Sequence, residues 1–258
     1  MLLHLMTWKE VETYLKRSKG IIIPIGSTEQ HGPSGVIGTD AICAEIIARS
    51  AGEIADAIVG PTINVGMSLH HLSFPGSISL RPSTLMAVIM DYTVSLAKSG
   101  FRRFFFINGH GGNVATANAA FSEIYDRLAY VLRDEPKGKK GAALSGNNTR
   151  MKLICWYDAA GAKEIVEKQF GNEEGQHATP GEVSVTQYAY PEAVRNVGKM
   201  EKAVEGLHIY SADDFRARYP DGRIGSNPSL SSPEVGQVLV DIASREISEI
   251  YLDFLNAE

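Results

Sequence analysis

Apolar positions along this chain follow two patterns that alternate from the first strand to the last helix. Short unbroken apolar runs, typical of strands buried on both faces, are each followed by a longer segment with apolar residues at helical spacing. The predicted strands are "GIIIPIG", "AIVGPTINVG", "FRRFFFING" and "MKLICWYD". The predicted helices are "DAICAEIIARSAGEIADA", "RPSTLMAVIMDYTVSLAKSG", "NVATANAAFSEIYDRLAYVLRD", a short helix over 180–189 and "SPEVGQVLVDIASREISEIYLDFL".

This alternation predicts the α/β class with a mostly parallel central sheet. A chain of 258 residues with 44% hydrophobic content can bury a substantial core, and no internal repeat or linker divides it, so we expect one domain over 1–258. The segment "EPKGKKGAALSGNNTR" is predicted to be a loop, with its lysines at 137–140 in solvent.

Composition and charge exclude several classes of partner. A net charge of -5 and scattered lysines give no basic surface for a nucleic acid or an anionic membrane. No window reaches about 18 uninterrupted apolar residues, and the N-terminal segment acquires charges early, so we expect a cytoplasmic protein. Cys43 and Cys155 lack metal-ligand spacing and are predicted to be buried.

Four polar residues are predicted to meet at the edge of the sheet where ligands bind in α/β folds. Glu29 and His31 follow the first strand, Asp40 begins the next helix, and His110 follows "RRFFFING". Taken singly, Asp40 could be a helix N-cap, His31 a turn histidine and Glu29 a solvated carboxylate. Two acids together with no basic residue nearby instead indicate a cation, and these ligand types suit Zn, Mn or Fe.

The stretch "NGHGGN" over 108–113 places glycines where the backbone can pass close to a ligand. Its amides at the head of a helix could bind an oxyanion or a phosphate. The stretch lacks both the dinucleotide-binding glycine spacing and the Lys-Ser/Thr pair of a P-loop, which favours His110 as a metal ligand.

Four motifs, in this order and at these intervals, resemble the creatininase family of creatinine amidohydrolases. They are "PIGSTEQHGPSGVIGTD", "GMSLHHLSFPGSISL", "NGHGG" and "HATPGEVSV". The resemblance implies a three-layer α/β/α fold, often assembled as a hexamer, and two divalent metal ions. It also implies hydrolysis of a non-peptide C–N bond in a cyclic amide or a formamide, with hydroxide formed between the metals as nucleophile.

Carried over to this sequence, the resemblance makes Glu29, Asp40 and His110 the ligands of one metal. His31 and Asp40 become ligands of the other, so Asp40 would bridge the two. His177 matches a histidine that handles protons, and we expect it on a later loop outside the metal cluster. From the residues alone, a capping or surface histidine is the alternative.

This sequence departs from creatininases proper at several positions. Gly111 and Gly112 stand where those enzymes have a Tyr and a metal-binding Glu. Glu182 is our candidate for the missing ligand, the alternatives being a water, an empty second site, or a solvated first-turn glutamate. Ser34 replaces a usual histidine, and only Trp156 is placed to contribute to an aromatic lid. The "NGHGGN" form is more like that of formamide deformylases.

His71 matches a family position and is expected behind the metal ligands or at a subunit contact, with His70 in place of an acid. "FPGSISL" is predicted to be a short strand or edge segment whose apolar surface, with the resemblance, suggests a homo-oligomer, a hexamer.

The leading hypothesis is a metal-dependent amidohydrolase with a small-molecule amide substrate and no nucleic-acid or membrane partner. One alternative is a peptidase or maturation factor for a peptide-derived cofactor. Another is a non-catalytic nucleotide-binding module.

Overall fold

The structure is a computed structural model that describes residues 1–131, 148–206 and 208–256. The lysine-rich stretch 137–140, predicted to be a solvated loop, lies outside the described residues.

Four parallel strands form the centre of the described structure, in the order β2-β1-β3-β4. In β1, side chains of Ile21 and Ile23 enter one core and that of Ile22 enters the other, so both faces of the sheet are covered. The strands are β1 (Gly20–Ile25), β2 (Ile58–Val59), β3 (Arg103–Asn108) and β4 (Arg150–Cys155).

Helices cover the two faces of this sheet, which confirms the predicted α/β/α class. One core contains residues of α1, α3 and α4, and the opposite core contains residues of α2, α5, α6 and α8. The bounds are α1 (Trp8–Tyr14), α2 (Thr39–Ile54), α3 (Pro82–Ser99), α4 (Asn113–Val131), α5 (Ala160–Phe170), α6 (Pro180–Ala189), α7 (Ala212–Arg218) and α8 (Pro233–Asn256). Among the described helices, none combines the length and apolarity needed to cross a bilayer.

The predicted strand over 57–66 is wrong in length. Only Ile58 and Val59 form a ladder, because Gly60 and Pro61 follow and a proline has no amide hydrogen to donate. "FPGSISL" is not a strand either, since Ile78 makes only a single bridge to Thr28.

Three helices were not predicted, namely α1, α5 and α7. Their apolar stripes are short, so periodicity alone does not distinguish them from loops.

Glycines allow the start of α2 to lie directly against the ends of two strands. A Cβ at Gly26 would fall 2.4 Å from the amide nitrogen of Ala41, and one at Gly109 would fall 2.1 Å from the carbonyl oxygen of Asp40. Contacts this short are not tolerated by real side chains. The first turn of α2 is thus held between the carboxyl ends of β1 and β3.

Gly26→Ala should therefore destabilise the protein by about 1–3 kcal/mol, because the added methyl group overpacks a backbone contact. The free energy of unfolding measured in urea checks this. Gly38→Ala is the matched control, since a Cβ there meets only Ile42 at 3.5 Å, and it should change stability by less than about 1 kcal/mol. Equal losses for the two variants would contradict the packing argument.

Apolar side chains are exposed on the segment that precedes α3. Leu69, Leu72 and Ile78 all show more than a third of their surface to solvent. The homo-oligomer stays a prediction: light scattering at micromolar concentration should give the mass of several subunits. A monomer there would contradict it.

Candidate metal centre

Six predicted site residues lie together at the carboxyl edge of the sheet, and we call them the carboxylate–imidazole cluster. They come from the loop after β1, the first turn of α2, the turn after β3, and the segment that enters α6. The cluster consists of Glu29, His31, Asp40, His110, His177 and Glu182.

Glu29 and Asp40 form the buried centre of the cluster, with side chains 0% and 3% exposed. His110 Nδ1 lies 3.2 Å from Glu29 Oε1 and 3.2 Å from Asp40 Oδ2. His31 Nε2 lies 3.1 Å from Asp40 Oδ1. Two of the alternatives considered for single residues are therefore wrong: Glu29 is not solvated, and Asp40 follows the N-cap of α2, which is Gly38.

Three carboxylate oxygens in this centre have no hydrogen-bond partner among the described residues. They are both oxygens of Glu29 and Oδ2 of Asp40. Imidazole nitrogens of His71 and His110 lie 3.2 Å from Glu29 Oε1, and that of His110 also lies 3.2 Å from Asp40 Oδ2, as ion-pair contacts if the rings are protonated. An unpaired buried carboxylate is strongly unfavourable, so these oxygens fit a site for a cation.

The imidazoles of the cluster are oriented as metal ligands commonly are. His31 Nδ1 donates to the carbonyl of Glu29 at 3.1 Å, His110 Nε2 to that of Met67 at 2.9 Å, and His177 Nε2 to that of Gln30 at 2.9 Å. A carbonyl oxygen can only accept, so each of these nitrogens carries a proton. The other nitrogen of each ring then faces the carboxylates, and this is the usual arrangement around a metal-bound histidine.

The pKa values show how negative the potential is at this centre. Burial alone would lower the pKa of His31, but Asp40 and Glu182 outweigh it and raise this pKa to about 10. Burial likewise opposes the charge of His110, whose pKa Glu29 and Asp40 raise well above its usual value. Burial, followed by the charge of Asp40, raises the pKa of Glu29. A site that attracts protons this strongly also attracts metal cations, which compete for the same nitrogens and oxygens.

Three groups of ligand atoms in the cluster each lie within 4.8 Å of one another. Glu29, His31 and Asp40 each belong to two of them, and Asp40 is the carboxylate that the family resemblance makes the bridge. The groups are Glu29, Asp40 and His110; His31, Asp40 and Glu182; and Glu29, His31 and His177. The assignment of these residues as ligands stays a prediction.

His177 does not lie outside this cluster as expected. Its side chain is 11% exposed, its Nδ1 is 3.9 Å from Glu29 Oε1, and its ring centroid is 4.5 Å from that of His31. A long excursion between β4 and α6 returns the chain to the sheet edge, which sequence separation could not reveal. The surface-histidine alternative is therefore wrong.

Glu182 has two partners of different kinds. Its Oε1 accepts the amide of Thr179 at 2.6 Å in a capping box, and the same oxygen is 3.8 Å from His31 Nε2. The side chain is 13% exposed, so it is not the solvated glutamate of the alternative. Burial raises the pKa of Glu182 to about 7.

Position 112 could not supply a ligand with this backbone. A Cβ on Gly112 would lie 2.4 Å from His110 Nε2 and 2.6 Å from the carbonyl oxygen of Met67, the two atoms that form a hydrogen bond. A side chain there would displace His110. This explains why glycine stands at this position. Glu182, whose Oε1 is 3.8 Å from His31 Nε2, stays the candidate for the missing ligand.

Gln30, which no sequence pattern singled out, connects the cluster to its surroundings. Its Oε1 accepts the amide of Gly32, so its Nε2 is a donor, 3.0 Å from the carbonyl of Gly222, 3.0 Å from His71 Nδ1 and 2.9 Å from His177 Nε2. Because His177 Nε2 itself donates to the carbonyl of Gln30, the two hydrogens of this amide go to Gly222 and His71. The proton of His71 is thereby placed on Nε2, which faces Glu29 Oε1 at 3.2 Å. His71 therefore contacts Glu29 from outside the three ligand groups, which is one of the two positions expected for it from the sequence.

His70 packs against His71 and Phe215 and joins none of the ligand groups. Two buried amides hold the neighbouring loops: Asn108 donates to the carbonyl of His110 at 2.7 Å, and Asn113 donates to that of Gly26 at 3.0 Å.

A cavity of about 360 Å³ opens onto the cluster. Trp156 and Tyr157 form an aromatic wall, and Trp156 is the residue that the sequence placed near a lid. This volume is within the range of small-molecule sites. The lining residues are Asp40, Gly109, His110, Gly111, Trp156, Tyr157, Ala162, Val166, Glu174, Gly175, Gln176, His177, Thr179 and Glu182.

The family model described as creatinine amidohydrolase matches residues 4–251. The chain belongs to the creatininase family. The motifs in the sequence predicted this membership.

Relatives in this family carry different names. The chain is 38% identical to a mycofactocin precursor peptide peptidase of Mycolicibacterium smegmatis over 106 residues, 39% of this chain and 42% of that relative, so the match spans less than half of the peptidase. It is 25% identical to a 3-dehydro-scyllo-inosose hydrolase of Thermotoga maritima over 97% of this chain and 79% of that relative. A solved structure titled "Creatininase Mn" has a TM-score of 0.83 at 21% identity, covering 99% of both chains, which supports the fold.

Asp40→Ala should remove both metal ions, because this carboxylate belongs to two of the three ligand groups. Elemental analysis of protein purified without chelator measures the change. Retention of two equivalents would show that Asp40 does not bridge.

Glu182→Gln should remove only one metal ion, in contrast to Asp40→Ala. Glutamine can keep the capping box with Thr179, so thermal stability should change little, while the metal content should fall by one equivalent. Unchanged metal content would remove Glu182 from the ligands.

Proposed function

We propose that this chain hydrolyses a C–N bond in a small non-peptide amide, a cyclic amide or a formamide, with two divalent ions of Zn, Mn or Fe. The observation that carries the proposal is the set of orphaned carboxylate oxygens and oriented imidazoles beside a cavity that Asp40, His110, His177 and Glu182 line. Glu29, Asp40 and His110 would hold one ion, and His31, Asp40 and Glu182 the other. The ions would supply an activated water and polarise the amide carbonyl.

His177 is the residue that would move protons. Its Nε2 donates to the carbonyl of Gln30, which fixes the ring and leaves Nδ1 directed at the cluster. Burial, together with the charge of His31, holds the pKa of His177 well below its usual value, so the ring is neutral and, as a weak base, would readily give up a proton taken from the attacking water. The carbonyl of Gln30 would stabilise the ring while it carries that proton to the leaving nitrogen.

The apolar wall of the cavity would exclude bulk water and hold the substrate over the cluster. Trp156 is buried in the core against α2 and α8, while the hydroxyl of Tyr157 lies beside Gly111, 3.6 Å from where a Cβ would stand. A rigid wall of this kind positions a small planar group at low entropic cost.

The peptidase hypothesis is the second candidate, and the local match to a mycofactocin precursor peptide peptidase favours it. Substrate profiling separates the two. Protein loaded with Zn, Mn or Fe is incubated with formanilide, creatinine, 2-pyrrolidone and a set of tetrapeptides, and products are followed by mass. Hydrolysis of a formamide or cyclic amide supports our proposal, and cleavage of the peptides alone would replace it with the peptidase.

His177→Ala should lower kcat and kcat/KM together by about 10²–10⁴-fold while both ions stay bound, because proton transfer to the leaving nitrogen occurs in the transition state. Steady-state kinetics and elemental analysis are measured on the same preparation. His208→Ala, at an exposed position, is the control and should match the wild type. Loss of metal would make His177 a ligand instead, and full activity would remove it from the mechanism.

A further inference from the structure

The cavity wall carries one carboxylate that the cluster does not use, that of Glu174. It lies beyond α5, lines the same cavity as the turn after β3, and belongs to none of the three ligand groups. Metal ions at the cluster would offset the charges of Glu29, Asp40 and Glu182. They would leave Glu174 as a separate acid in the cavity.

The position of Glu174 is set by the start of α6. Its Oε2 accepts the amide of Gly181 at 3.1 Å, and a Cβ on Gly181 would lie 2.6 Å from Oε1. A glycine at 181 is therefore needed for the carboxylate to approach the helix this closely. Glu174 is held in place while it lines the cavity.

Among the residues that the structure describes, no lysine or arginine side chain is paired with this acid. The cavity lining has three carboxylates and no lysine or arginine, and among the described residues none of the lysines or arginines forms an ion pair with Glu174. Burial raises the pKa of Glu174 to about 7, as expected for an acid without a counter-charge. A substrate with an N–H-rich cationic group would supply that counter-charge, and a carboxylate or phosphate group would be repelled.

We propose that Glu174 is a specificity residue: it accepts hydrogen bonds from an amidine, amine or similar cationic group that the substrate carries away from the scissile C–N bond. This rests on the proposed function only for its reference to that bond, since the binding contact itself needs no turnover. The aromatic wall of Trp156 and Tyr157 would face the body of such a substrate.

Two isosteric probes test the contact in the metal-loaded full chain. Benzamidine carries a cationic amidine, and benzamide is its neutral counterpart. Titration calorimetry should give a Kd for benzamidine about tenfold lower than for benzamide, the size of one charge-assisted hydrogen bond. Glu174→Gln should bring the two Kd values within about twofold, while Gln can still accept the amide of Gly181.

Glu167→Gln is the matched control. It removes the same charge from an exposed position of α5 and should keep the tenfold preference. An unchanged preference in Glu174→Gln, or no saturable binding of either probe to the wild type, would overturn the inference. A Glu174-dependent preference without amide hydrolysis would leave the inference standing and contradict the proposed function instead.

Discussion

Two carboxylates buried side by side, those of Glu29 and Asp40, are the constraint on which this structure depends. Three of their four oxygens have no hydrogen bond among the described residues, and the groups around them are imidazoles rather than lysines or arginines. Charges in this arrangement repel each other unless protons or cations lie between them. The raised pKa values of His31 and His110 show that protons on these rings can offset the carboxylate charges. A pair of metal ions would offset the same charges.

The backbone is shaped to keep these acids together. Glycines at 26 and 109 bring the first turn of α2 against the ends of β1 and β3, and a glycine at 112 leaves room for the ring of His110. Each ring then donates one proton to a backbone carbonyl, which fixes its orientation before any ion binds. Preorganisation of this kind is what a metal site requires of the groups that hold its ligands in place.

The segment that enters α6, late in the chain, contributes an imidazole and two carboxylates to the site. His177, Glu182 and Glu174 all lie on it or just before it, and two of these three also satisfy amides at the start of the helix. The same hydrogen bonds therefore order the helix start and hold two acids at the cavity. This dual role explains how an acid can be supplied from position 182 when the backbone at 112 has no space for one.

The sequence by itself determined the class of the fold and the edge of the sheet at which the site forms. Apolar runs alternating with helical periods are local patterns, and they predicted β1, β3, α2, α3 and α8 because each buries its own apolar residues. The motifs also predicted the family, which the match over residues 4–251 confirms. Glu29, His31, Asp40 and His110 could be placed together because each follows or begins an element at one edge of a parallel sheet.

Only the tertiary structure decided which later residues reach that edge. His177 and Glu182 are more than a hundred residues from His31 along the chain, and no local pattern encodes their contact with it. The role of Gln30 could not be predicted from the sequence either, because its partners His71 and Gly222 come from two other loops. Strand β2 has only two residues because its length depends on pairing with β1 and on Pro61, which has no amide hydrogen to donate. A run of apolar residues in the sequence indicates burial but not the extent of strand pairing. Distances between loops come from the packing of whole elements, so residues joined only through loops cannot be placed from sequence spacing.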